Sequence, residues 1–215
     1  MLLVVTIAGG AGARKHLLAK QLSDLLQSRY STISTAILSL EDFKKHDVEE
    51  VEEPSGLSLA AVIEKIDAYA AQSVSSASLD LQVLFVEGVY AMLPELREKS
   101  DLRIFIDTDA DTRLSNTVLD KSDAGIPLDQ ILTSWINKVK PSFDKYVNET
   151  KNHADVILPR GICNEGGVAT IATYLLDAVA SRLDGTSDLS ASQMLVSRAG
   201  MRSLRDSDNI YYDSS

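Results

Sequence analysis

The stretch MLLVVTIAGGAGARKHLLAK, residues 1–20, decides the fold of this chain. It opens with an apolar run rich in Val, Leu and Ile, which is typical of a buried strand. A turn with Gly9, Gly10 and Gly12 follows, and Lys15 comes shortly after it. A strand, a glycine-rich turn and a helix that begins near a lysine form a phosphate-binding loop, in which backbone N–H groups and the helix N-terminus face the anion. The stretch therefore predicts a nucleotide-binding ancestry.

Two residues of this turn depart from the pattern G-x-x-x-x-G-K-[ST] of phosphate-binding loops. Arg14 stands in place of the second glycine, and His16 stands in place of the hydroxyl residue. Arg14 either contacts phosphate or fills its space, and its backbone costs on the order of 1 kcal/mol more than that of glycine. Imidazole cannot replace a small hydroxyl on Mg²⁺, which prefers oxygen ligands. We therefore expect anion binding to survive better than Mg²⁺ binding; the alternative is a plain turn with a solvated Arg14–Lys15 pair.

Four more apolar runs have the length and composition of strands that are covered on both faces. They are residues 35–40, 82–88, 102–107 and 154–160. Segments with apolar residues at helical spacing lie between and after them. The clearest apolar stripes run through residues 59–69, 128–143 and 168–179. This alternation predicts a P-loop NTPase-type α/β protein, a three-layer α/β/α fold with a five-stranded parallel sheet, whose ligands bind at the carboxyl ends of the strands.

The composition narrows the classes of function. The chain has 215 residues, a net charge of −10 and 45% hydrophobic residues. The excess of acidic residues argues against a nucleic-acid binder, since no surplus of Lys and Arg is present to displace phosphate counterions. The single cysteine, Cys163, excludes an internal disulfide framework. The short N-terminal apolar run is interrupted by glycine, which predicts no membrane span. We expect a cytoplasmic protein, with the nucleus also open.

The domain organisation changes near residue 184. Residues 1–183 contain every strand and helix pattern and are expected to form one P-loop domain. Residues 184–215 are rich in Ser and Asp, and their main apolar points are the run 194–196 and the run 210–212. This tail is either a disordered appendage or a segment that docks on this domain or on a partner through those apolar residues.

Several downstream motifs are specific enough to indicate a family. They are FVEGVYA (85–91), IDTDADTRLS (106–115), LDQIL (128–132), VKPSFDKYV (139–147) and ADVILPRG (154–161). In order and spacing they resemble the uridine-cytidine kinase family, within the phosphoribulokinase/uridine kinase group of P-loop kinases. The resemblance implies a five-stranded parallel sheet with a lid and an ATP or GTP cofactor used with Mg²⁺. It also implies phosphoryl transfer to the 5′-hydroxyl of uridine or cytidine, and an oligomeric assembly.

The same resemblance assigns roles to three acidic residues. In the stretch LSLEDFKK, Glu41 stands where the family has its catalytic aspartate, and Asp42 follows one step later. Either can act as the base that accepts the hydroxyl proton, although a shift of about 1 Å can lower the rate on the order of a hundredfold. The alternative is a capping or solvated acid pair. Glu87 stands at the strand-end position that supports Mg²⁺ and its waters.

The nucleoside site of the family is largely missing from this chain. EEPSGLS (52–58) stands where the family has an aspartate that holds the ribose hydroxyls. AQSVSSASLDL (71–81) is too short for the β-hairpin that contacts the base in the family. The resemblance therefore predicts weak or altered recognition of the acceptor.

The lid of the family is altered as well. RLSNTVLDKSDAGIP (113–127) keeps Arg113, and Lys121 is its other positive charge. The residues at or near the remaining cation positions of the family are Asn116, Thr117, Asp120 and Ala124. Cations of this kind stabilise charge on a phosphoryl group during transfer. Arg160, in LPRG, stands on the adenine side in the family, where it either contacts the base or forms a structural ion pair.

Three hypotheses follow from the sequence. The first is a uridine kinase homologue with weak or lost catalysis that serves as a binding or regulatory subunit, as a homo-oligomer or with an active uridine kinase paralogue. The second is an active kinase with an altered substrate that uses Arg14 and Glu41 in new roles. The third is an interaction protein without a nucleotide. Four separate losses favour the first: the loop glycine, the Mg²⁺ hydroxyl, the lid arginines and the acceptor hairpin.

Overall fold

A parallel sheet forms the centre of the molecule. The computed structural model describes residues 1–45, 53–75 and 81–183. Within them the strands are β1 Leu2–Gly9, β2 Ser34–Ser39, β3 Gln82–Glu87, β4 Leu102–Asp107 and β5 Val156–Pro159. Their order across the sheet is β2-β3-β1-β4-β5, and every neighbouring pair is parallel. The predicted five-stranded parallel sheet is therefore confirmed.

Helices cover both faces of this sheet. The α-helices are α1 Lys15–Arg29, α2 Leu59–Ser75, α3 Pro94–Arg97, α4 Ala110–Asp123, α5 Leu128–Ser134, α6 Lys140–Ser142 and α7 Glu165–Leu183. One core cluster joins the sheet to α1 and α7, and the other joins it to α2 and to the segment around Phe143. Phe85 and Phe105 are fully buried, one in each cluster. The layers are those of a three-layer α/β/α fold.

The helical stripe predicted over residues 128–143 is a continuous helical stretch with two wide turns. α5 passes into a π-helix over Trp135–Val139, and α6 passes into a second one over Phe143–Val147. π-Helical turns are rare in proteins, and many of those that occur lie at functional sites. Here they carry the aromatic side chains of Trp135 and Phe143 toward α4, as described below.

The connections at the carboxyl edge of the sheet bring the candidate residues together. The turn after β1 leads into α1, and a 3₁₀ turn, Leu40–Phe43, follows β2. α4 follows β4 closely, with Asp109 at its N-cap position, although the Asp109 side chain forms no capping hydrogen bond. A 3₁₀ turn, Gly161–Cys163, follows β5. This edge is where ligands of parallel α/β sheets bind.

Some sequence-based predictions lie outside the described residues. They concern the C-terminal tail 184–215, the first residue of the stretch 52–58 and residues 76–80 of the stretch 71–81. Among the helices that the structure describes, none combines the length and apolarity that a membrane crossing requires.

Candidate nucleotide-binding site

The backbone of the loop after β1 keeps a shape that normally requires glycine. Gly12 has φ 76°, and Arg14 has φ 61° and ψ 35°, which is the left-handed conformation. For a residue with a Cβ this conformation costs about 1–2 kcal/mol. Arg14 occupies the N-cap position of α1, so the strain is located at the entrance to the helix. The chain therefore follows a glycine-like path at Arg14 although the glycine is absent.

Lys15 lies inside this loop and does not extend into solvent. Its side chain is buried, and its Nζ donates a hydrogen bond of 3.0 Å to the carbonyl oxygen of Gly10. Burial lowers the pKa of the Lys15 ammonium, and the nearby charges of Glu87 and Glu41 oppose that shift. The ammonium is thus held against the loop by the Gly10 carbonyl oxygen.

Glu87 ends β3 beside His16, and its charge acts on Lys15. It is buried, and its Oε1 is 3.7 Å from Nδ1 of His16, whose own side chain is 61% exposed. A carboxylate oxygen and an imidazole nitrogen are a poor donor set for Mg²⁺, which takes oxygen ligands in octahedral geometry. Within residues 1–45, 53–75 and 81–183, no group of three or more His, Cys, Asp and Glu residues is placed to hold a metal ion. The chemistry of the donors thus fits Mg²⁺ badly.

The two candidate bases lie in the 3₁₀ turn after β2. Both Glu41 and Asp42 are exposed. Glu41 Oε2 forms a 2.6 Å ion pair with Nζ of Lys44, and its charge also acts on Lys15. Glu41 is therefore the acid that the structure places within electrostatic reach of the loop, while it is engaged by a neighbouring lysine.

α4 packs directly on the loop and binds the substituted residue. Arg14 Nη1 forms a 2.6 Å ion pair with Oδ1 of Asp120, and Arg14 Nη2 donates to Oδ1 of Asn116 at 3.5 Å. Asn116 Nδ2 in turn donates to the carbonyl oxygen of Gly12 at 2.8 Å. We call these three interactions the loop–α4 contact. Sequence reasoning noted each residue as a departure from the family and missed that they bind one another.

Arg113 is buried beneath the loop and does not face solvent. Its Nε donates to the carbonyl oxygen of Thr108 at 3.1 Å, and its guanidinium carbon is 3.9 Å from the centre of the Phe143 ring and 5.5 Å from that of Trp135. Burial lowers its pKa. Its Nη1 has no hydrogen-bond partner among the described residues, and a Cβ placed on Gly10 would collide with that atom. An unpaired guanidinium donor thus lies against the loop.

The glycines of the loop permit this close packing. A Cβ on Gly12 would collide with the carbonyl oxygen of Arg113 and would lie 2.7 Å from Oγ1 of Thr117. A Cβ on Gly9 would lie 2.8 Å from the carbonyl oxygen of Ile106 in β4. The glycine spacing therefore serves the approach of β4 and α4 as well as any phosphate.

Arg160 lies at the same edge of the sheet, in the turn after β5. It has φ 62° and an exposed side chain, and its backbone N–H donates to the carbonyl oxygen of Asp107 at 2.9 Å. The next residue, Gly161, packs near the loop, with its ideal Cβ position 3.7 Å from the carbonyl oxygen of Ala13. The structure places Arg160 beside the loop, and its role toward a base stays a prediction.

The arrangement as a whole fits an anion. The N–H groups in the first turn of a helix have no intrahelical partner and carry partial positive charge. Those at the N-terminus of α1 can therefore donate hydrogen bonds to phosphate oxygens. Lys15 and the unpaired Nη1 of Arg113 add positive charge close to Gly10 of the loop. Arg14, by contrast, is already bound to an acid.

Comparisons with known proteins give the family. Residues 64–166 match the family model described as "Phosphoribulokinase / Uridine kinase family". A 98-residue segment is 42% identical to "Uridine-cytidine kinase B" of Dictyostelium discoideum and covers 45% of this chain and 40% of that protein. A 97-residue segment is 39% identical to "Uridine kinase" of Lactococcus lactis subsp. lactis (strain IL1403) and covers 44% of this chain and 47% of that protein. The aligned segments thus span less than half the length of these curated relatives.

The position of the family match is informative. It includes Glu87, Arg113 and Arg160, and it begins after the loop and after Glu41. The match therefore lies in the part of the chain that contains the downstream motifs.

Solved structures agree at the level of fold. The structure of a candidate fructose transport system kinase from Silicibacter sp. TM1040 has a TM-score of 0.57 and 14% identity, covering 73% of this chain and 89% of that one. A likeness at this identity shows a shared fold. The family model and the curated relatives, which match less than half of the chain, support a member of the phosphoribulokinase/uridine kinase family over residues 64–166.

Proposed function

We propose that this chain binds a nucleotide at the head of α1 and acts as a binding or regulatory member of the uridine kinase family, with weak or lost phosphoryl transfer. The observation that carries the proposal is the loop–α4 contact. It engages the extra cation of the loop, Arg14, with Asp120 and Asn116 of the lid. The added cation is thereby bound within the protein and does not replace the lid cations that stabilise a phosphoryl group during transfer.

Nucleotide binding is supported by what the loop keeps. The left-handed backbone at Arg14 preserves the path of the chain into α1, and Lys15 stays at the loop opening. Anion binding at a helix N-terminus needs backbone N–H groups and a local cation, and it needs no metal. ATP or GTP is the ligand class that the family implies.

Loss of transfer is supported by three features that would act together. The donors beside the loop are Glu87 and His16, which suit Mg²⁺ badly, and the candidate base Glu41 is paired with Lys44. The lid supplies Asn116 and Asp120 where cations are expected. Removal of a single comparable group costs about 2–4 kcal/mol of transition-state stabilisation in other enzymes. Two such losses would make turnover negligible even if their effects do not add fully.

A binding or regulatory role implies an assembly. We propose a homo-oligomer or a hetero-oligomer with an active uridine kinase paralogue, in the cytoplasm or the nucleus. The proposal includes no binding to nucleic acid or membrane, since the net charge of −10 disfavours both polyanionic partners.

One observation favours a second candidate, an active kinase with an altered substrate. Glu41 lies within electrostatic reach of Lys15, and Arg14 would supply a cation from the loop if it left Asp120. This candidate requires transfer to some small hydroxyl compound. An interaction protein without a nucleotide is the third reading.

Calorimetric titration with ATP and with GTP tests the proposal, together with an assay for transfer to uridine and cytidine. The matched variants are Lys15→Met, in the loop, and Lys20→Met, at an exposed position of α1. We expect binding by the wild type and by Lys20→Met, weaker binding by Lys15→Met and no nucleoside monophosphate. Phosphorylation of either nucleoside would overturn the proposed loss of transfer, and the absence of any nucleotide binding would favour the third reading.

A further inference from the structure

The hairpin formed by α4 and α5 exposes more apolar surface than its fold requires. Leu128, Leu132 and Ile136 are spaced four residues apart along α5 and the π-helix that follows it, so they share one side of the helical stretch. Leu128 is 54% exposed, Ile136 is 63% exposed, and Leu132 is half-buried. We call these three residues the apolar stripe.

The apolar stripe is additional to the face that packs on the core. Ile131, Trp135 and Val139 form the buried side of the same helical stretch. Leu119 of α4 and Ile126 of the connecting turn are also exposed, at 59% and 37%. Half of the large, exposed apolar side chains in the described residues thus lie within an 18-residue hairpin. Single exposed leucines need no explanation, whereas exposed apolar residues that share one side of a helix, as those of the apolar stripe do, can form a contact surface.

The charges beside the stripe differ between its two ends. Asp123 and Asp129 flank Leu128 and are exposed, while Lys138 lies near Ile136. A ligand that fits the stripe therefore has apolar groups along its length and positive charges at the Leu128 end. A second copy of the same hairpin is the other candidate, because an antiparallel two-fold pairing would place the aspartates of one copy toward Lys138 of the other, and the test below distinguishes the two occupants.

The chain itself contains a sequence with this chemistry outside the described residues. Residues 192–205 have the sequence SQMLVSRAGMRSLR. They contain three arginines and no acidic residue, although the whole chain has a net charge of −10. Apolar residues precede and separate the arginines: Met194, Leu195, Val196, Met201 and Leu204. In order along the chain, the apolar run comes first and the arginines follow.

The connection is long enough for this segment to reach the stripe. α7 ends at Leu183, at the amino edge of the sheet, where Nη1 of Arg182 donates to the carbonyl oxygen of Leu2 at 3.1 Å. The stripe belongs to the hairpin over the carboxyl edge, so the distance is about that of α7 itself, on the order of 28 Å for 19 residues at about 1.5 Å each. Residues 184–194 can span about 36–40 Å when extended. The segment is also present at a high local concentration because it is tethered.

We propose that residues 192–205 dock on the apolar stripe of the same molecule. Met194 and Leu195 lie toward Ile136, and the arginines lie toward Asp123 and Asp129. Docking would cover the exposed leucines and place the tail on the hairpin that contacts the nucleotide loop. The proposal rests on the hairpin and the tail, and it holds whether or not the loop binds a nucleotide.

Disulfide trapping in the full chain tests this docking. In a Cys163→Ser background, Ile136→Cys is combined with Met194→Cys, and the control combines Leu17→Cys with Met194→Cys. Leu17 is an exposed apolar residue of α1, 45% exposed, so it matches Ile136 in character. Under mild oxidation we expect the Ile136 pair to form an intramolecular disulfide at least about tenfold faster than the control pair.

Charge reversal and the size of the product complete the test. Arg198→Glu, Arg202→Glu and Arg205→Glu together should slow formation of the Ile136 disulfide several-fold, since they place acids beside Asp123 and Asp129. Equal rates for the Ile136 and Leu17 pairs would overturn the proposal. A product that is mainly a covalent dimer, with a rate that rises with protein concentration, would also overturn it and would assign the stripe to a second copy.

Discussion

Arg14 and Asp120 form an ion pair of 2.6 Å across 106 residues of sequence, and both stand where relatives of this family are expected to differ. Arg14 replaces a loop glycine, and Asp120 stands near a lid cation position. The side chains are 29% and 53% exposed, so the pair contributes only about 0–1 kcal/mol to stability. The main effect of the pair is on the position of the guanidinium, which it holds against Asp120 and Asn116 of α4.

Release of Arg14 from the lid is expected to strengthen nucleotide binding. Asp120→Asn removes the carboxylate that competes with phosphate for the guanidinium, so the Kd for ATP should fall several-fold while the free energy of unfolding changes by less than about 1 kcal/mol. Asp123→Asn is the matched control, since it makes the same change of net charge on the same helix. Calorimetric titration and urea unfolding measure the two quantities. An equal gain in both variants would mean that bulk charge, and not release of Arg14, causes the effect.

The packing of α4 on the loop is expected to appear in the stability of glycine variants. Gly12 and Gly125 have similar positive φ angles, 76° and 82°, but a Cβ meets α4 only at Gly12, since Gly125 has nothing within 4 Å. Gly125→Ala should cost about 1 kcal/mol from backbone strain alone. Gly12→Ala should cost about 1–3 kcal/mol more, because the new Cβ collides with the backbone of Arg113. Urea unfolding of both variants gives the comparison, and equal losses would show that α4 does not press on the loop.

Nucleotide binding is expected to take up protons in alkaline solution. Burial lowers the pKa of Lys15 below its usual 10.5, and a bound phosphate would raise it by favouring the charged ammonium. Between the two pKa values the free protein holds fewer protons than the complex, so binding in that range adds protons. Calorimetry at a series of alkaline pH values, each in two buffers of different ionisation enthalpy, measures the uptake. It should persist in Lys20→Met and disappear in Lys15→Met; uptake that survives in Lys15→Met would assign it to another group.

Restoration of the loop pattern is expected to restore metal-dependent binding. Arg14→Gly removes the left-handed strain and the contact with Asp120, and His16→Ser supplies a hydroxyl near Glu87. The double variant should bind ATP at least about tenfold more tightly with Mg²⁺ than the wild type does, a gain of about 1.4 kcal/mol. Arg14→Gly alone should improve binding without making it depend on Mg²⁺. Unchanged affinity in the double variant would mean that the loop no longer has the backbone conformation that binds phosphate.

Local patterns were sufficient to predict the sheet and its carboxyl edge. Apolar runs and helical spacing report burial on each element, and the parallel arrangement then brings strand ends together. The sequence therefore indicated that Lys15, His16 and Glu87 belong to one region, and the structure places them beside one another. Glu41 is likewise within reach of Lys15, which periodicity alone could not distinguish from the neighbouring Asp42.

The contacts of α4 could not be predicted in the same way. Whether Arg14 meets Asp120 depends on how closely α4 approaches the loop, which is set by small residues and by packing over a long sequence separation. Arg113 was expected to act as a lid cation, and it is stacked on Phe143 beneath the loop. The opposite charges of Arg14 and Asp120 were the available signal of this contact. A single sequence does not show which of its acidic residues Arg14 contacts.

The dependence of ATP affinity on Mg²⁺ tests the central claim most directly. The Kd of the wild-type protein for ATP is measured by calorimetry in excess Mg²⁺ and again in EDTA, at the same ionic strength. If the loop binds phosphate but lacks suitable ligands for Mg²⁺, the two Kd values should agree within about twofold, a difference below about 0.5 kcal/mol. Affinity that rises tenfold or more with Mg²⁺, together with formation of a nucleoside monophosphate from uridine or cytidine, would contradict the account.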